Sequence, residues 1–215
     1  MLSGPTREPA SGKAKALVIL LHGYGADGDD LIGLADAWAP ALPGAAFVAP
    51  HAPQVLPYAG AQGRQWFDLT MRDPGEYWRG VSAAGPELDR FLDHELERHG
   101  VSPDRLALVG FSQGTMLALH VGLRRSRIAG IAGYSGLLAG PEHLAADMRS
   151  RPPVLLVHGA ADDVVPVQAT EVACDALAQN GVPVEWHIVP GLGHGIDETG
   201  LRAGQDFLSR VVQDR

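Results

Sequence analysis

The chain has 215 residues and a formal net charge of −8, with 25 acidic against 17 basic residues. This length is typical of one domain, and an acidic chain with scattered charges is a poor ligand for nucleic acid or for an anionic membrane surface. No apolar run reaches the ~18 residues of a membrane span. We therefore predict no nucleic-acid partner and no stable membrane insertion.

The N-terminal stretch, residues 1–15, is polar and lacks the apolar core of a signal peptide. We predict a flexible lead-in at 1–15, a single domain at 16–215 and a cytoplasmic location. Cys174 has no second cysteine to pair with, which fits a reducing compartment. Because Cys174 shares a helix face with Leu177 and Ala178, it is predicted to be a small core residue and not a nucleophile.

A buried strand is predicted at 16–21, followed by a glycine loop and a helix from about 30 to 39. The loop matches the dinucleotide-binding fingerprint at Gly23, Gly25 and Gly28. That fingerprint needs an acid at the end of the second strand to hold the ribose. The second predicted strand, 45–49, ends instead in Pro50 and His51, so we predict no nucleotide cofactor. The loop is interpreted as one that brings a backbone N–H close to a reacting centre.

Residues 51–79 form a long irregular stretch rich in aromatic side chains. Such loops are usually functional or disordered, and aromatic residues argue against disorder. The stretch either supplies an apolar wall for substrate or is fixed by a small core of its own, and both interpretations stay open for each aromatic residue. The aromatic residues are Tyr58, Trp66, Phe67, Tyr77 and Trp78.

An amphipathic helix is predicted from 80 to 99, where His94 and His99 raise the question of a zinc site. Five residues correspond to roughly 140° around a helix, so the two histidines do not share a ligating face. We predict a solvated helix end and no metal.

The most informative stretch is Gly110-Phe111-Ser112-Gln113-Gly114, between a predicted strand at 105–109 and a helix that continues through 115–121. In this context Gly-x-Ser-x-Gly is typical of a nucleophile turn, with glycines where a Cβ would collide with the neighbouring strand and helix. Ser112 is therefore the predicted nucleophile.

The rest of the chain continues to alternate strands and helices. Strands are predicted at 128–134, 153–157 and 184–189, and helices at 167–180 and 197–212. Alternating strands and helices without a repeat predict an α/β fold, a three-layer sandwich with a mostly parallel central sheet.

Ligands of such sheets bind beyond the carboxyl ends of the strands. Ser112, an acid at 162 or 163, and His194 each follow a predicted strand, in the chain order of a nucleophile-elbow hydrolase. His194 is the predicted base, because its flanking glycines allow close approach, whereas His187 lies within a strand and is expected to pack there. Asp162 is favoured as the acid over Asp163, which could instead cap the next helix.

A tetrahedral intermediate needs fixed donors for its negative oxygen. The predicted donors are the backbone N–H groups of Gln113, at the start of the serine helix, and of Tyr24, in the first glycine loop. Only the main chain is involved, so either side chain is expected to vary without loss of this role.

Five motifs in order resemble the phospholipase/carboxylesterase family, small α/β-hydrolases that include acyl-protein thioesterases and bacterial carboxylesterases. The motifs are His22-Gly-Tyr-Gly-Ala-Asp-Gly28, Trp66-Phe67-Asp68, Gly110-Phe-Ser-Gln-Gly114, His158-Gly-x-x-Asp162-x-Val-Val-Pro166 and Gly193-His194. The resemblance covers residues 16 to 210 and supports Ser112, Asp162 and His194 as the triad and Tyr24 and Gln113 as oxyanion donors.

The resemblance also implies an α/β-hydrolase fold with no large lid domain and a shallow acyl groove, acting on esters, lysophospholipids or thioesters without cofactor or metal. Trp66 and Phe67 match the family's motif beside the site, which makes them the candidate substrate-binding residues. Residues 53–64 match no family pattern and are expected to shape the groove. Some members dimerise, so a homodimer is a possible state.

We therefore predict a carboxylesterase that cleaves small-molecule esters through an acyl-enzyme intermediate. A lysophospholipase or an acyl-protein thioesterase is the alternative within the family. A catalytically silent binding module is the non-enzyme alternative, although such modules usually have an incomplete triad. A peptidase on this fold would generally need an additional domain to select peptides.

Overall fold

The computed structural model describes residues 1–57, 62–70, 73 and 75–213. Most of its strands form a twisted central sheet in the order β1-β3-β2-β6-β7-β8-β9, while β4 and β5 form a separate two-stranded hairpin. All pairings in the large sheet are parallel except that of β1 with β3. The strands are β1 (Thr6–Arg7), β2 (Ala16–Leu21), β3 (Ala45–Val48), β4 (Gln54–Val55), β5 (Arg64–Gln65), β6 (Leu106–Phe111), β7 (Gly130–Tyr134), β8 (Val154–Gly159) and β9 (Val184–Val189).

Helices cover both faces of the sheet. They are α1 (Gly28–Ile32), α2 (Leu34–Trp38), α3 (Gly75–His99), α4 (Gln113–Arg124), α5 (Leu144–Asp147), α6 (Gln168–Gln179) and α7 (Glu198–Gln213). The fold is thus the predicted three-layer α/β sandwich, and the described residues include no separate lid domain. No helix in this part of the chain is long and apolar enough to cross a membrane.

The two cores follow from the alternation of side chains along the buried strands. In β2, Leu17, Ile19 and Leu21 face a core with residues of α3, α4 and α6. The intervening β2 residues face a second core with residues of α1, α2 and α7. Because both faces are covered, β2 is a continuous apolar run, as expected for a parallel strand.

Part of the N-terminal stretch, which is predicted to be a flexible lead-in, pairs with the sheet. Thr6 and Arg7 pair with β3, and Ala49 and His51 donate backbone hydrogen bonds to the carbonyls of Pro5 and Ser3 at 3.0 and 2.9 Å. Residues 3–7 therefore belong to the edge of the sheet.

The helix predicted from 30 to 39 is two short helices, α1 and α2. Gly33 lies between them, as the C-cap of α1 and the N-cap of α2. Glycine is a poor helix former because, without a side chain, it loses more conformational freedom than other residues when the helix forms. The helix is interrupted at this residue.

The prediction of a solvated end for α3 is wrong at Glu95 and His99. Both side chains are buried, and Glu95 Oε2 lies 3.4 Å from His99 Nε2. Glu8, from the N-terminal stretch, lies 3.8 Å from the other nitrogen of His99. The N-terminal segment covers this end of the helix, which no helical pattern could indicate.

Cys174 is buried in the core, as predicted. Burial raises the pKa of its thiol to about 11. A thiol with that pKa is protonated at neutral pH and is a poor nucleophile.

Candidate active site

Ser112 occupies a strained turn between β6 and α4. Its backbone has φ 53° and ψ −116°, in the left-handed half of the map that favours glycine. A Cβ at Gly114 would collide with the carbonyl oxygen of Leu21 on the neighbouring strand, so only glycine fits there. The N–H of Ser112 donates to Tyr134 O at 2.8 Å, which fixes the turn to β7. The turn has the geometry that the Gly-x-Ser-x-Gly pattern predicts.

Asp162 and His194 lie together at the carboxyl ends of β8 and β9. His194 Nδ1 is 2.8 Å from Asp162 Oδ2. The other carboxylate oxygen, Oδ1, accepts hydrogen bonds from the N–H groups of Val164 and Val165, both at 2.9 Å. Asp163 is exposed, so Asp162 is the acid that contacts the histidine.

The Asp162 carboxylate is stabilised in its charged form. Burial alone would raise its pKa, but the hydrogen bonds from Val165, His194 and Val164 outweigh burial and hold the pKa below its ordinary value of 3.8. An ionised Asp162 fixes Nδ1 of His194 as the donor nitrogen, which leaves Nε2 as the proton acceptor.

Two loops bring His194 beside the serine turn. The ring of Phe111, the residue before Ser112, lies 4.9 Å from the ring of His194, centroid to centroid. The N–H of Ala161 donates to Leu192 O at 2.9 Å, which fastens the histidine loop to the loop that carries Asp162. His187 lies in β9 as predicted, but it is exposed because β9 is an edge strand.

The two predicted oxyanion donors flank the serine. A Cβ at Gly23 would lie 3.3 Å from Ser112 Cβ, so the backbone that leads to Tyr24 passes directly beside Ser112. Gln113 is the first residue of α4, where N–H groups have no partner within the helix and the helix dipole favours negative charge.

His22 holds the loop that carries Tyr24. Its Nδ1 is 2.8 Å from Gly23 O, the carbonyl of the peptide whose N–H belongs to Tyr24, and its Nε2 accepts from the N–H of Ala52 at 2.9 Å. Burial lowers the pKa of His22, with the hydrogen bond to Gly23 acting in the opposite sense. A neutral His22 with hydrogen on Nδ1 satisfies both contacts.

Trp66 and Phe67 do not form a wall open to substrate. They are only 2% and 4% exposed. The indole N–H of Trp66 donates to His22 O at 2.9 Å, and its backbone N–H donates to Gln113 Oε1 at 2.8 Å. Gln113 Nε2 in turn donates to Phe67 O at 2.8 Å. The Trp-Phe motif therefore packs against His22 and Gln113, which adjoin or carry the predicted oxyanion donors.

The glutamine side chain is the site feature that the sequence interpretation missed. Only the main chain of Gln113 was expected to matter, whereas its fully buried amide joins α4 to the segment at 66–67. The available signal was an amide side chain directly after the predicted nucleophile and before an apolar helix, since such a group requires partners once it is buried.

The stretch expected to shape the groove is fastened to the first glycine loop. Gly25 N–H donates to Arg64 O at 2.8 Å, and Arg64 N–H donates to Ala26 O at 3.0 Å. The hairpin of β4 and β5 thus stands beside Tyr24. Tyr58, one of the candidate aromatic residues, lies outside the described residues.

The first glycine loop does not offer a phosphate site. Asp27 caps α1 by accepting from the N–H groups of Asp29 and Asp30, and His51 Nδ1 accepts from the N–H of Gly28 at 3.1 Å. The donors that a dinucleotide would use are therefore taken by the protein. In the described ranges, one group of side chains lies close enough to share a metal ion: Asp27, Asp29 and His51. Two of them, Asp27 and His51, already accept the hydrogen bonds just described from backbone N–H groups of α1.

The mostly parallel sheet, the strained serine turn and the carboxylate-bound histidine beyond its strand ends place the protein among the α/β-hydrolases. The chain belongs to the phospholipase/carboxylesterase family, whose sequence profile matches residues 5–212.

Individual relatives are similar to this protein over almost the whole chain. The solved structure of esterase PE8 is 44% identical with a TM-score of 0.94, covering 98% of this chain and 99% of that one. Acyl-protein thioesterase 1 of Gibberella zeae is 30% identical over 95% of this chain and 94% of its own length. Esterase YpfH of Escherichia coli K12 is 28% identical over 93% of this chain and 84% of its own. The protein is therefore similar to both esterases and thioesterases.

Proposed function

We propose that the protein hydrolyses carboxylic esters through an acyl-enzyme intermediate on Ser112. The observation that supports this most directly is the 2.8 Å contact between His194 Nδ1 and Asp162 Oδ2, beside the strained serine turn. A serine hydroxyl is a weak nucleophile at neutral pH and needs a neutral imidazole to take its proton. His194 Nε2 is the acceptor in this proposal.

The proposed reaction has two steps, acylation of Ser112 and hydrolysis of the acyl-enzyme. Ser112 Oγ attacks the carbonyl carbon while its proton passes to His194, and the alcohol leaves with that proton, so that an ester of Ser112 remains. Water then attacks the acyl-enzyme, gives a proton to His194, and the acid leaves as Ser112 regains its hydrogen. The N–H groups of Tyr24 and Gln113 hold the oxyanion in both steps.

A thioesterase is the second candidate, favoured by the similarity to acyl-protein thioesterase 1 over 95% of the chain. The same residues would serve, because a thiolate leaves more readily than an alkoxide and needs less help from His194. The small-ester proposal is preferred because of the higher identity to esterase PE8, 44% over 98% of the chain.

Turnover of matched substrates tests the proposal. Wild-type protein is assayed with p-nitrophenyl esters from acetate to palmitate, with acyl-coenzyme A thioesters of the same chain lengths, and with lysophosphatidylcholine. The proposal predicts kcat/KM highest for short esters. Higher kcat/KM for the long thioesters or for the lysolipid would replace it with the thioesterase or the lysophospholipase, and no turnover of any of them would favour a silent binding module.

A further inference from the structure

Asp162 contacts a second histidine besides His194. His158, the last residue but one of β8, places Nε2 3.2 Å from Asp162 Oδ2, the same oxygen that lies 2.8 Å from His194 Nδ1. His158 is 1% exposed, and the Asp162 side chain is fully buried. The general mechanism of a serine hydrolase assigns no role to this second imidazole.

The partners of His158 fix where its hydrogen lies. Nε2 is 2.9 Å from Val165 O, and a carbonyl oxygen only accepts, so Nε2 must carry a hydrogen. Nδ1 lies 2.8 Å from the hydroxyl of Thr170, which can donate to it when His158 is neutral. The Nε2 hydrogen is therefore donated to Val165 O, and Asp162 Oδ2 lies 3.2 Å from the same nitrogen.

Val165 links His158 to the carboxylate through hydrogen bonds. Val165 donates its N–H to Asp162 Oδ1 at 2.9 Å and accepts from His158 through its carbonyl. Asp162 Oδ1 accepts from two backbone N–H groups, while Oδ2 is hydrogen-bonded to His194 and also lies 3.2 Å from His158 Nε2. A carboxylate restrained on both oxygens cannot rotate about its Cβ–Cγ bond without losing a buried hydrogen bond.

We propose that His158 is a positioning residue that holds the Asp162 carboxylate in the plane His194 requires. The inference rests on the proposed function, in which Asp162 orients His194 for proton transfer. Without the Nε2–H of His158, Val165 O loses its donor and Oδ2 loses a neighbouring N–H. The imidazole that Asp162 orients is then less well aligned with Ser112. Misplacement of a reacting group by about 1 Å can cost about 10²-fold in rate.

The positioning role of His158 is tested by two substitutions that both remove the imidazole, of which only one keeps an N–H donor. His158→Gln keeps an N–H near the position of Nε2, whereas His158→Leu removes it. Thr170→Val is the matched control, because it removes the contact to Nδ1 and leaves the contact to Asp162. We expect His158→Leu to lower kcat roughly 10- to 100-fold with KM changed less than about twofold, while His158→Gln and Thr170→Val lose less than about fivefold.

A purely structural histidine would give a different result. Active sites are counted by the burst of p-nitrophenol, so that loss of folded protein does not count as loss of kcat. The second readout is the low-field proton NMR signal of His194 Nδ1–H, identified by its absence from Asp162→Asn. We expect this signal in wild type and His158→Gln, and its loss or an upfield shift in His158→Leu.

Wild-type kcat per active site together with an unchanged low-field signal in His158→Leu would overturn the inference. If His158→Leu does not fold, His158→Asn gives the same comparison, because the shorter asparagine side chain does not extend to the position of Nε2. The NMR signal is measured without substrate, so the positioning role is tested even if the wild type hydrolyses none of the esters and the proposed function fails.

Discussion

Gln113 Oε1 accepts the backbone N–H of Trp66 at 2.8 Å, across 47 residues of sequence. The same amide donates to Phe67 O, so one side chain satisfies two buried backbone groups. Because the N–H of Gln113 is a proposed oxyanion donor, the side chain and the main chain of one residue serve the same site.

Gln113→Ala is expected to lower the free energy of unfolding by about 2 kcal/mol or more, because it leaves the Trp66 N–H and the Phe67 carbonyl without their partner. Urea unfolding of variant and wild type measures the difference. Gln168→Ala is the matched control, since Gln168 also begins a helix but is exposed. Equal losses in the two variants would contradict the role assigned to the Gln113 amide.

Trp66→Phe removes the indole N–H that donates to His22 O. We expect a loss of about 1–3 kcal/mol in the free energy of unfolding. Because Trp66 is buried, the ratios of kcat/KM across the p-nitrophenyl ester series should stay as in the wild type. A change of more than about tenfold in the ratio of kcat/KM for acetate to that for octanoate would contradict this and indicate that Trp66 binds substrate.

The two neighbouring acids, Asp162 and Asp163, are expected to differ sharply. Asp162→Asn should lower kcat/KM by roughly 10⁴-fold, because the amide favours the wrong tautomer of His194. Asp163→Asn should stay close to wild type, since Asp163 is exposed. The assay is ester turnover, with circular dichroism to establish folding. Greater damage from Asp163→Asn would mean that the acid is wrongly assigned.

His120 should make stability depend on pH. Burial, with a smaller contribution from Arg124, lowers its pKa from 6.5 to about 4. Between these values the unfolded chain binds a proton that the folded protein does not, so the free energy of unfolding falls as the pH decreases from about 6.5 to about 4. The expected loss is about 3 kcal/mol.

His120→Gln removes that titration. The difference in unfolding free energy between wild type and variant should therefore change by about 3 kcal/mol across this window, while His187→Gln, at an exposed histidine, should follow the wild-type curve. Curves for His120→Gln and wild type that stay parallel from pH 7 to pH 4 would contradict the prediction.

The sheet and the site geometry were largely predictable from local patterns. Buried strands such as Ala16–Leu21 appear as apolar runs, and β9 has the predicted bounds Val184–Val189. Parallel strands end at one edge, so the residues after β6, β8 and β9 were expected to meet there. Asp162 and His194 do so at 2.8 Å.

What the sequence did not predict depends on contacts between distant segments. The amide of Gln113 and the burial of Trp66 depend on two loops meeting. The buried pair of Glu95 and His99 depends on Glu8 and its neighbours covering a helix end. A helical pattern indicates which face of a helix is apolar, but it does not indicate which distant segment will cover the polar face.

The most direct test of the account is the covalent labelling of Ser112 by an organophosphonate. Wild type, Ser112→Ala and Ser135→Ala are treated and analysed by intact mass and peptide mapping; Ser135 is the matched control, a buried serine that also has a positive φ, 46°. We expect one adduct on Ser112 in wild type and in Ser135→Ala, with turnover lost on labelling. We expect none in Ser112→Ala, whose ester turnover should fall by a factor on the order of 10⁶. An adduct on Ser112→Ala, or substantial turnover by that variant, would contradict the account.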